Sequence, residues 1–217
     1  MEKGSKNMDI SSRIIQIANE LFFKWGIKSV SMDQIASDLG ISKRTLYENF
    51  KDKDSLVLGV LEKIQLDHTG HLKAITAQDV PDVHKLLMMF IEGQTMKNKI
   101  NPSFFKDLRK FYYPLYKDVF TKEKAASDSL IMQLYTTAQQ NGYFLADLDM
   151  RLVYTFIGDI MEDKLGYMSD GLMSMQEVQQ NVLRPFMMGI STPRGAEAFK
   201  QCAMNMNRIK ETIPNKE

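Results

Sequence analysis

Residues 30–54 have the sequence VSMDQIASDLGISKRTLYENFKDKD, and this stretch contains two successive helix-start signals. Ser31 is a good N-cap residue, and Gln34 three residues later completes a capping box. Apolar residues then recur at helical spacing until Gly40, a residue type that commonly ends a helix in the left-handed conformation. Ser42 repeats the N-cap signal after the glycine. Two short capped helices joined by a glycine-containing turn predict a helix-turn-helix.

The second of these helices is predicted to bury Leu46 and Phe50, which leaves its outer face polar. Residues near the start of such a recognition helix point into the major groove of DNA. Arginine and lysine donate to guanine, asparagine pairs with adenine, and threonine contacts the methyl group of thymine. The predicted base-reading residues are Lys43, Arg44, Thr45 and Asn49.

Phosphate contacts are expected around the same helix. Tyr47 is long enough to reach a phosphate oxygen, and Lys53 follows the cap residue Asp52 at the start of the next helix. Serines at helix N-termini lie where free backbone N–H groups bind phosphate. The predicted phosphate-contacting residues are Tyr47, Lys53, Ser31 and Ser42. A solvated surface helix is the alternative interpretation of this stretch, and two N-caps in register disfavour it.

The run SMDQIASDLGISKRTLYENFKDKDSL, residues 31–56, closely resembles the TetR/AcrR family of bacterial transcriptional regulators. Its T-L-Y-x-x-F core, followed by a lysine at the start of the next helix, carries most of the likeness. The resemblance is specific from about Ile10 to Leu61 and is architectural beyond that point. A weaker similarity lies in the tail segment VLRPFMMGISTPRG.

The spacing of apolar residues is helical along almost the whole chain, and strand signals are absent. The predicted fold is therefore all-α. It has an N-terminal three-helix helix-turn-helix domain over residues 1–54 and a larger helical domain for effector binding and dimerisation over residues 55–217. Residues 1–8 are expected to be disordered. No proline- or glycine-rich linker separates the domains, so a helix from Lys53 to about Ala77 is predicted to join them as a rigid strut.

Composition and motifs exclude several classes of protein. The 217 residues carry 28 Lys and Arg against 27 Asp and Glu, so DNA binding would depend on a local basic patch. Cys202 is the only cysteine, which excludes an intrachain disulfide and a cysteine-based zinc site. The sequence has no membrane-spanning apolar run and no signal peptide, so we expect a cytoplasmic protein without membrane association. It has no P-loop or dinucleotide-binding motif, so no cofactor is expected.

The predicted helices near residues 149–168 and 175–190 are the most apolar in the C-terminal half, and Pro185 is expected to bend the second of them. The resemblance implies that these helices pair two copies of the chain through a four-helix interface. A two-fold dimer places two recognition helices one turn of DNA apart, which predicts a near-palindromic double-stranded operator. A final helix is expected to begin at Thr192-Pro193.

Aromatic residues concentrate between residues 104 and 120, in a helical segment that Asn101-Pro102 is predicted to start and Pro114 to interrupt. Most are expected in the core and some in the wall of a small-molecule pocket. His68 and His71 are neighbours on the predicted strut at core-like positions, which favours a core or pocket-lining pair over a metal site. The predicted ligand-binding residues are His68, His71, Phe104, Phe111, Tyr112, Tyr116 and Tyr135. The ligand is expected to be small and largely apolar.

The resemblance implies a homodimeric repressor that leaves its operator when a small molecule occupies the C-terminal domain. One alternative is a DNA-binding protein of the same fold with no small-molecule effector, controlled by a partner or constitutive. The other is an enzyme, for which the sequence offers no recognisable nucleophile–base arrangement and no cofactor motif.

Overall fold

The computed structural model describes residues 9–97, 100–162 and 175–204, and within these ranges the regular structure is helical, with no strand. The all-α prediction is confirmed. The chain divides into two compact units. The first unit comprises Met1–Asp67 and Lys99–Thr121, and the second comprises His68–Asn98 and Lys122–Glu217. None of the described helices is long and apolar enough to cross a membrane.

The first unit begins with three helices that share one core. Helix α1 buries Ile14, Ala18 and Phe22, which are spaced four residues apart and therefore lie on one face. Ile35 and Leu46 from the next two helices are also fully buried. These helices are α1 (Ile10–Trp25), α2 (Met32–Leu39) and α3 (Lys43–Asn49).

The caps predicted around α2 and α3 are confirmed. The Ser31 hydroxyl oxygen accepts a hydrogen bond from the Gln34 backbone N–H at 3.1 Å. Gly40 has a φ of 69°, the left-handed conformation expected at the end of α2. The Ser42 hydroxyl oxygen then accepts from the Thr45 N–H at 3.0 Å. Two local signals eleven residues apart thus determine where the helix-turn-helix begins and ends.

Helix α4 (Lys53–Thr76) ends one residue before the predicted limit, and its first part belongs to the first unit and its last part to the second. The prediction that His68 and His71 occupy core-like positions is wrong for His68, which is exposed, while His71 is half-buried. Gln65 is the polar residue that α4 buries. Helical periodicity gives the direction of a side chain, but it does not report which turns of the helix another element covers.

The first unit is completed by α6 (Pro102–Phe111) and the start of α7 (Tyr113–Gln140). Asn101 is the predicted N-cap of α6, and its side chain accepts from the Ser103 N–H at 2.9 Å. The break between α6 and α7 lies at Tyr112, whereas the sequence placed it at Pro114. Proline is tolerated in the first turn of a helix, because its missing N–H would be unpaired there.

The second unit packs the last helices around a core that includes Leu134, Tyr135, Ala138 and Phe144. Of the helix predicted over residues 149–168, the described part is α8 (Met150–Glu162), and the remainder lies outside the described residues. The helix predicted over 175–190 is divided by a π-helical turn. The elements of this unit are α5 (Asp82–Lys97), most of α7, α8, α9 (Met175–Val178), the π-helical turn Gln179–Leu183, α10 (Arg184–Gly189) and α11 (Pro193–Met204).

The π-helical turn lies immediately before Pro185, the residue expected to bend this helix. Proline lacks the N–H that would bond the carbonyl four residues earlier, and sharp bends in helices occur at prolines and at π-helical turns. Irregular backbone is therefore present where the sequence indicated it.

The start of α11 is bonded to the turn that follows α7. Gly142 has a φ of 74°, and its carbonyl accepts from the Thr192 hydroxyl at 2.7 Å. The Arg194 guanidinium lies over the Tyr143 ring, 4.4 Å from its centroid. A Cβ atom at Gly195 would lie 1.9 Å from the Tyr143 carbonyl oxygen, so only glycine fits there. The end of the tail segment VLRPFMMGISTPRG thus packs closely against the turn after α7 inside the second unit.

Candidate nucleic-acid interface

Helix α3 has one fully buried residue, Leu46, and its charged side chains are exposed. The Arg44 side chain is 88% exposed, and that of Lys43 is 66% exposed. Tyr47 is exposed on the same short helix. These three side chains are available to a macromolecule that approaches α3 from solvent.

Each of the two cations has a carboxylate partner within the chain. The Lys43 ammonium lies 2.6 Å from a carboxylate oxygen of Asp33 on α2, and the Arg44 guanidinium lies 2.8 Å from that of Glu48, one helical turn away. All four groups are solvent-exposed, and exposed ion pairs contribute little to stability because water screens them. Phosphate or a guanine edge can replace these carboxylates at small cost.

The hydroxyl groups at the start of α3 bond to each other and to the backbone. The Ser42 and Thr45 hydroxyl oxygens are 2.8 Å apart, in addition to the cap bond between Ser42 and the Thr45 N–H. Ser31 and Ser42 are exposed, whereas Thr45 is half-buried. Within the protein Ser31 and Ser42 act as caps, and the Thr45 hydroxyl bonds to that of Ser42.

Asn49 is positioned differently from the exposed residues of α3. Its carboxamide oxygen accepts from the Ser11 hydroxyl on α1 at 2.7 Å, and its carboxamide nitrogen donates to the Thr45 carbonyl at 2.8 Å. Both ends of the amide are thus bonded within the protein. One amide N–H and one oxygen lone pair are left over for adenine, but the two internal bonds fix the direction in which they point.

Lys53 is also engaged within the protein. Its ammonium donates to the Val30 carbonyl at 2.5 Å and lies 6.0 Å from the centroid of the Phe22 ring. Partial burial lowers the pKa of Lys53, and the neighbouring positive charge of Lys28 lowers it further. Lys53 thereby ties the start of α4 to the residue that precedes the N-cap of α2.

The seven predicted ligand-binding residues are divided between the two compact units. Phe104, Phe111, Tyr112 and Tyr116 belong to the first unit, and His68, His71 and Tyr135 belong to the second. Phe104 is buried, and its ring packs edge-on against Phe23 at 5.0 Å. Within the first unit these aromatic residues stabilise the fold or lie on its surface.

Tyr135 belongs to an aromatic cluster that the sequence did not predict as a cluster. Its ring lies 5.8 Å from Phe144 and 6.1 Å from Tyr154, and burial raises its pKa. The Tyr154 hydroxyl donates to the Asp128 carboxylate at 2.5 Å. Burial raises the pKa of Tyr154, and the bond to Asp128 adds to the effect. Asp128 and Tyr154 are 26 residues apart on different helices, so no local pattern reports their contact.

Across the ranges that the structure describes, no three His, Cys, Asp or Glu side chains are arranged to hold a metal ion. The described surface of the first unit presents instead a helix-turn-helix with cations on its second helix. This arrangement defines a DNA-binding transcriptional regulator.

Comparison with known proteins identifies the family. The family model for bacterial regulatory proteins of the tetR family matches residues 14–60. An HTH-type transcriptional regulator of Staphylococcus aureus (strain MRSA252) is 35% identical over 156 residues, which span 63% of this chain and 82% of that relative. The chain belongs to the TetR family of bacterial transcriptional regulators, and it is a regulator rather than an enzyme.

Solved structures show the same fold. A TetR/AcrR-family transcriptional regulator from Thermobifida fusca aligns with a TM-score of 0.59 at 21% identity and covers 82% of this chain and 96% of its own. A transcriptional regulator from Saccharomonospora viridis, solved in complex with choline, aligns with a TM-score of 0.59 at 18% identity and covers 84% and 97%. At these identities the likeness establishes the architecture of both units.

Proposed function

We propose that this protein is a homodimeric repressor that binds a near-palindromic operator and leaves it when a small molecule binds. The observation that carries the proposal is the contrast between two exposed surfaces. One is the cationic face of α3 in the first unit. The other is an exposed apolar face in the second unit.

The apolar face is formed by α8 and the π-helical turn. Leu152 and Phe156 are one helical turn apart, and their exposed fractions are 70% and 51%. Val182 is 42% exposed, and the Phe156 ring packs against Phe186 at 5.2 Å. Contiguous exposed apolar surface marks an interaction site, because burying it yields about 25 cal/mol per Å². These are the helices that the resemblance assigns to the dimer, so the proposed occupant is a second copy of the chain.

For DNA reading we propose that the exposed residues of α3 contact the bases first. To contact a base, Arg44 and Lys43 need to give up only their solvent-exposed ion pairs with Glu48 and Asp33. Thr45 and Asn49 are the remaining proposed base readers, and Asn49 would read a base with the N–H and the lone pair that its internal bonds leave over. The proposed phosphate contacts are Tyr47, Lys53, Ser31 and Ser42. The domain that performs this reading is proposed to comprise residues 1–54, with residues 55–217 serving dimerisation and effector binding.

For the effector we propose a small, largely apolar molecule bound in the second unit. Tyr135 and the bonded pair Tyr154 and Asp128 supply aromatic walls and polar atoms there, and His68 and His71 lie on the part of α4 that belongs to this unit. The choline complex of the Saccharomonospora viridis regulator supports a small-molecule ligand for this fold. Because α4 is one helix with residues in both units, it is the proposed route from ligand to DNA.

The experiment has two stages. The full-length protein first selects duplexes from a randomised library, and the enriched sequence serves as the operator, called the selected duplex below. A panel of small apolar molecules is then screened for compounds that raise the thermal midpoint and release the protein from the selected duplex. Typical coupling free energies of about 1–3 kcal/mol predict a 5–150-fold loss of affinity. Compounds that bind without releasing the DNA would contradict the effector proposal and favour a regulator without a small-molecule signal.

A further inference from the structure

The C-terminal end of α1 is closed by residues that come almost eighty positions later in the chain. The last carbonyls of a helix have no partner within it and must find one elsewhere. The Asn101 backbone N–H donates to the Phe23 carbonyl at 2.7 Å, and the Asn101 carboxamide nitrogen donates to the Lys24 carbonyl at 3.1 Å. The carboxamide oxygen of the same residue caps α6 through Ser103. One side chain therefore terminates α1 and starts α6.

Asp107 makes a second bond across the same junction. Its carboxylate oxygen accepts from the Lys28 backbone N–H at 2.7 Å. Gly26 allows the close approach, since a Cβ atom there would lie 2.8 Å from the Ser103 Cβ and 3.1 Å from the Asp107 carboxylate. The φ of 85° at Gly26 also disfavours any other residue. The junction between α1 and α6 is thus built from a required glycine and two polar side chains.

Helix α1 connects this junction to the DNA-reading side chains. Near its other end, Ser11 bonds to Asn49 on α3. Near its C-terminal end, the Phe22 ring lies beneath the Lys53 ammonium. A change in the position of α1 would therefore be felt by both α3 and the start of α4.

We propose that Asn101 and Asp107 are positioning residues for operator binding, which hold the C-terminal end of α1 so that α3 and Lys53 keep the orientation that DNA requires. The inference rests on the DNA-reading role of α3 proposed above. It makes α6 a working part of the DNA-binding unit, although α6 lies well outside residues 1–54. Neither residue needs to touch DNA, because each acts through the orientation of α1.

The substitutions that test this role separate the loss of a bond between α1 and α6 from changes in the α6 cap and in net charge. Asn101→Asp keeps an oxygen that caps α6, but it replaces the nitrogen that donates to the Lys24 carbonyl with a charged oxygen that cannot donate. Asp107→Ala and Asp107→Asn change the charge equally, but only Asp107→Asn keeps an oxygen that accepts from Lys28. Lys106→Ala, at an exposed position on α6, changes the charge by the same amount as Asn101→Asp and serves as its control.

Affinity for the selected duplex and for random duplex of equal length is measured with the full-length chain, at a temperature where circular dichroism shows each variant folded. We expect Asn101→Asp and Asp107→Ala to weaken binding to the selected duplex about fivefold or more, equivalent to about 1 kcal/mol. Asp107→Asn and Lys106→Ala should stay within about twofold of wild type by the same conversion. Rescue by the asparagine is the result that a charge effect alone does not produce.

Three results would overturn the inference. One is a lower unfolding temperature with unchanged affinity, since the junction would then be structural only. Another is an equal loss in Asp107→Asn and Asp107→Ala. The third is a failure of both Asn101→Asp and Asp107→Ala to fold; if only one fails, the other decides, because they break different bonds. A wild-type protein that enriches no sequence, or an Arg44→Ala variant that binds normally, would instead count against the proposed function.

Discussion

The two compact units of this regulator expose opposite kinds of side chain. In the first unit the exposed face of α3 is cationic, with Arg44 and Lys43 extended into solvent. In the second unit the exposed face of α8 is apolar, with Leu152 and Phe156 uncovered. Positive charge attracts a polyanion such as DNA at long range, whereas an apolar surface is stabilised by contact with another apolar surface. The difference supports the proposal that DNA binds to the first unit and a second copy of the chain to the second.

The largest effect is expected from substitutions on the exposed apolar face of α8. Leu152→Glu combined with Phe156→Glu places two like charges on the proposed dimer face, at positions that already tolerate solvent within one chain. We expect a folded monomer in sedimentation and a loss of more than about a hundredfold in affinity for the selected duplex, because base specificity needs two half-sites.

The matched control for the dimer face is Leu66→Glu. Leu66 is 69% exposed but lies on the part of α4 that belongs to the first unit. The Leu66→Glu variant should remain a dimer with normal affinity for the selected duplex. A double variant that stays dimeric, or a control that dissociates, would show that the exposed apolar face of α8 is not where two copies meet.

The next largest effects are expected from removing the cations proposed to contact DNA. Arg44→Ala should cost about 1–3 kcal/mol on the selected duplex and relax preference at one base position. Lys53→Ala should weaken selected and random duplex alike and lower the salt slope by about one. Titrations at several salt concentrations separate the two. Equal losses on both duplexes for Arg44→Ala would show that this residue contacts the backbone rather than a base.

A smaller effect concerns the internal bond between α1 and α3. Ser11→Ala should lower the free energy of unfolding by about 0.5–1.5 kcal/mol, as expected for one hydrogen bond, and Asn49→Ala should lower it further, because it also removes the bond to the Thr45 carbonyl. The double variant should cost less than the sum of the single variants, because both remove the bond between Ser11 and Asn49. Urea unfolding of the four proteins measures this coupling. Additive costs would mean that the 2.7 Å contact contributes nothing to stability.

The smallest effect concerns the carboxylates beside the DNA-reading cations. Glu48→Gln frees Arg44 from its ion pair, and such exposed pairs are worth about 0.2–1 kcal/mol. Binding to random duplex should therefore tighten by no more than about fivefold. Glu62→Gln, on the exposed side of α4, is the control for the change in net charge. If both variants tighten binding equally, net charge rather than the release of Arg44 is responsible.

The helix-turn-helix was predictable because its signals are local. Ser31 and Ser42 cap helices through bonds to residues only three positions away, and Gly40 adopts the left-handed conformation that its position indicated. Asn101 was predictable as the cap of α6 for the same reason. Signals of this kind need no knowledge of the rest of the fold.

Other features depended on packing that no local pattern reports. The bonds from Asn101 to Lys24 and from Asp107 to Lys28 join residues 77 and 79 positions apart, so the sequence did not associate α6 with the DNA-binding unit. The bond between Asn49 and Ser11 depends in the same way on where α1 lies. His68 has the helical phase of a core residue and is nevertheless exposed.

The central claim is that two copies of α3, held at a fixed separation by the apolar face of the second unit, read one operator together. The most direct test inserts about five base pairs, half a helical turn, at the centre of the selected duplex. Our account predicts that specific binding falls to the level of random duplex, because the two half-sites then face opposite sides of the DNA. Affinity that survives the insertion would contradict the claim of two reading helices fixed relative to each other.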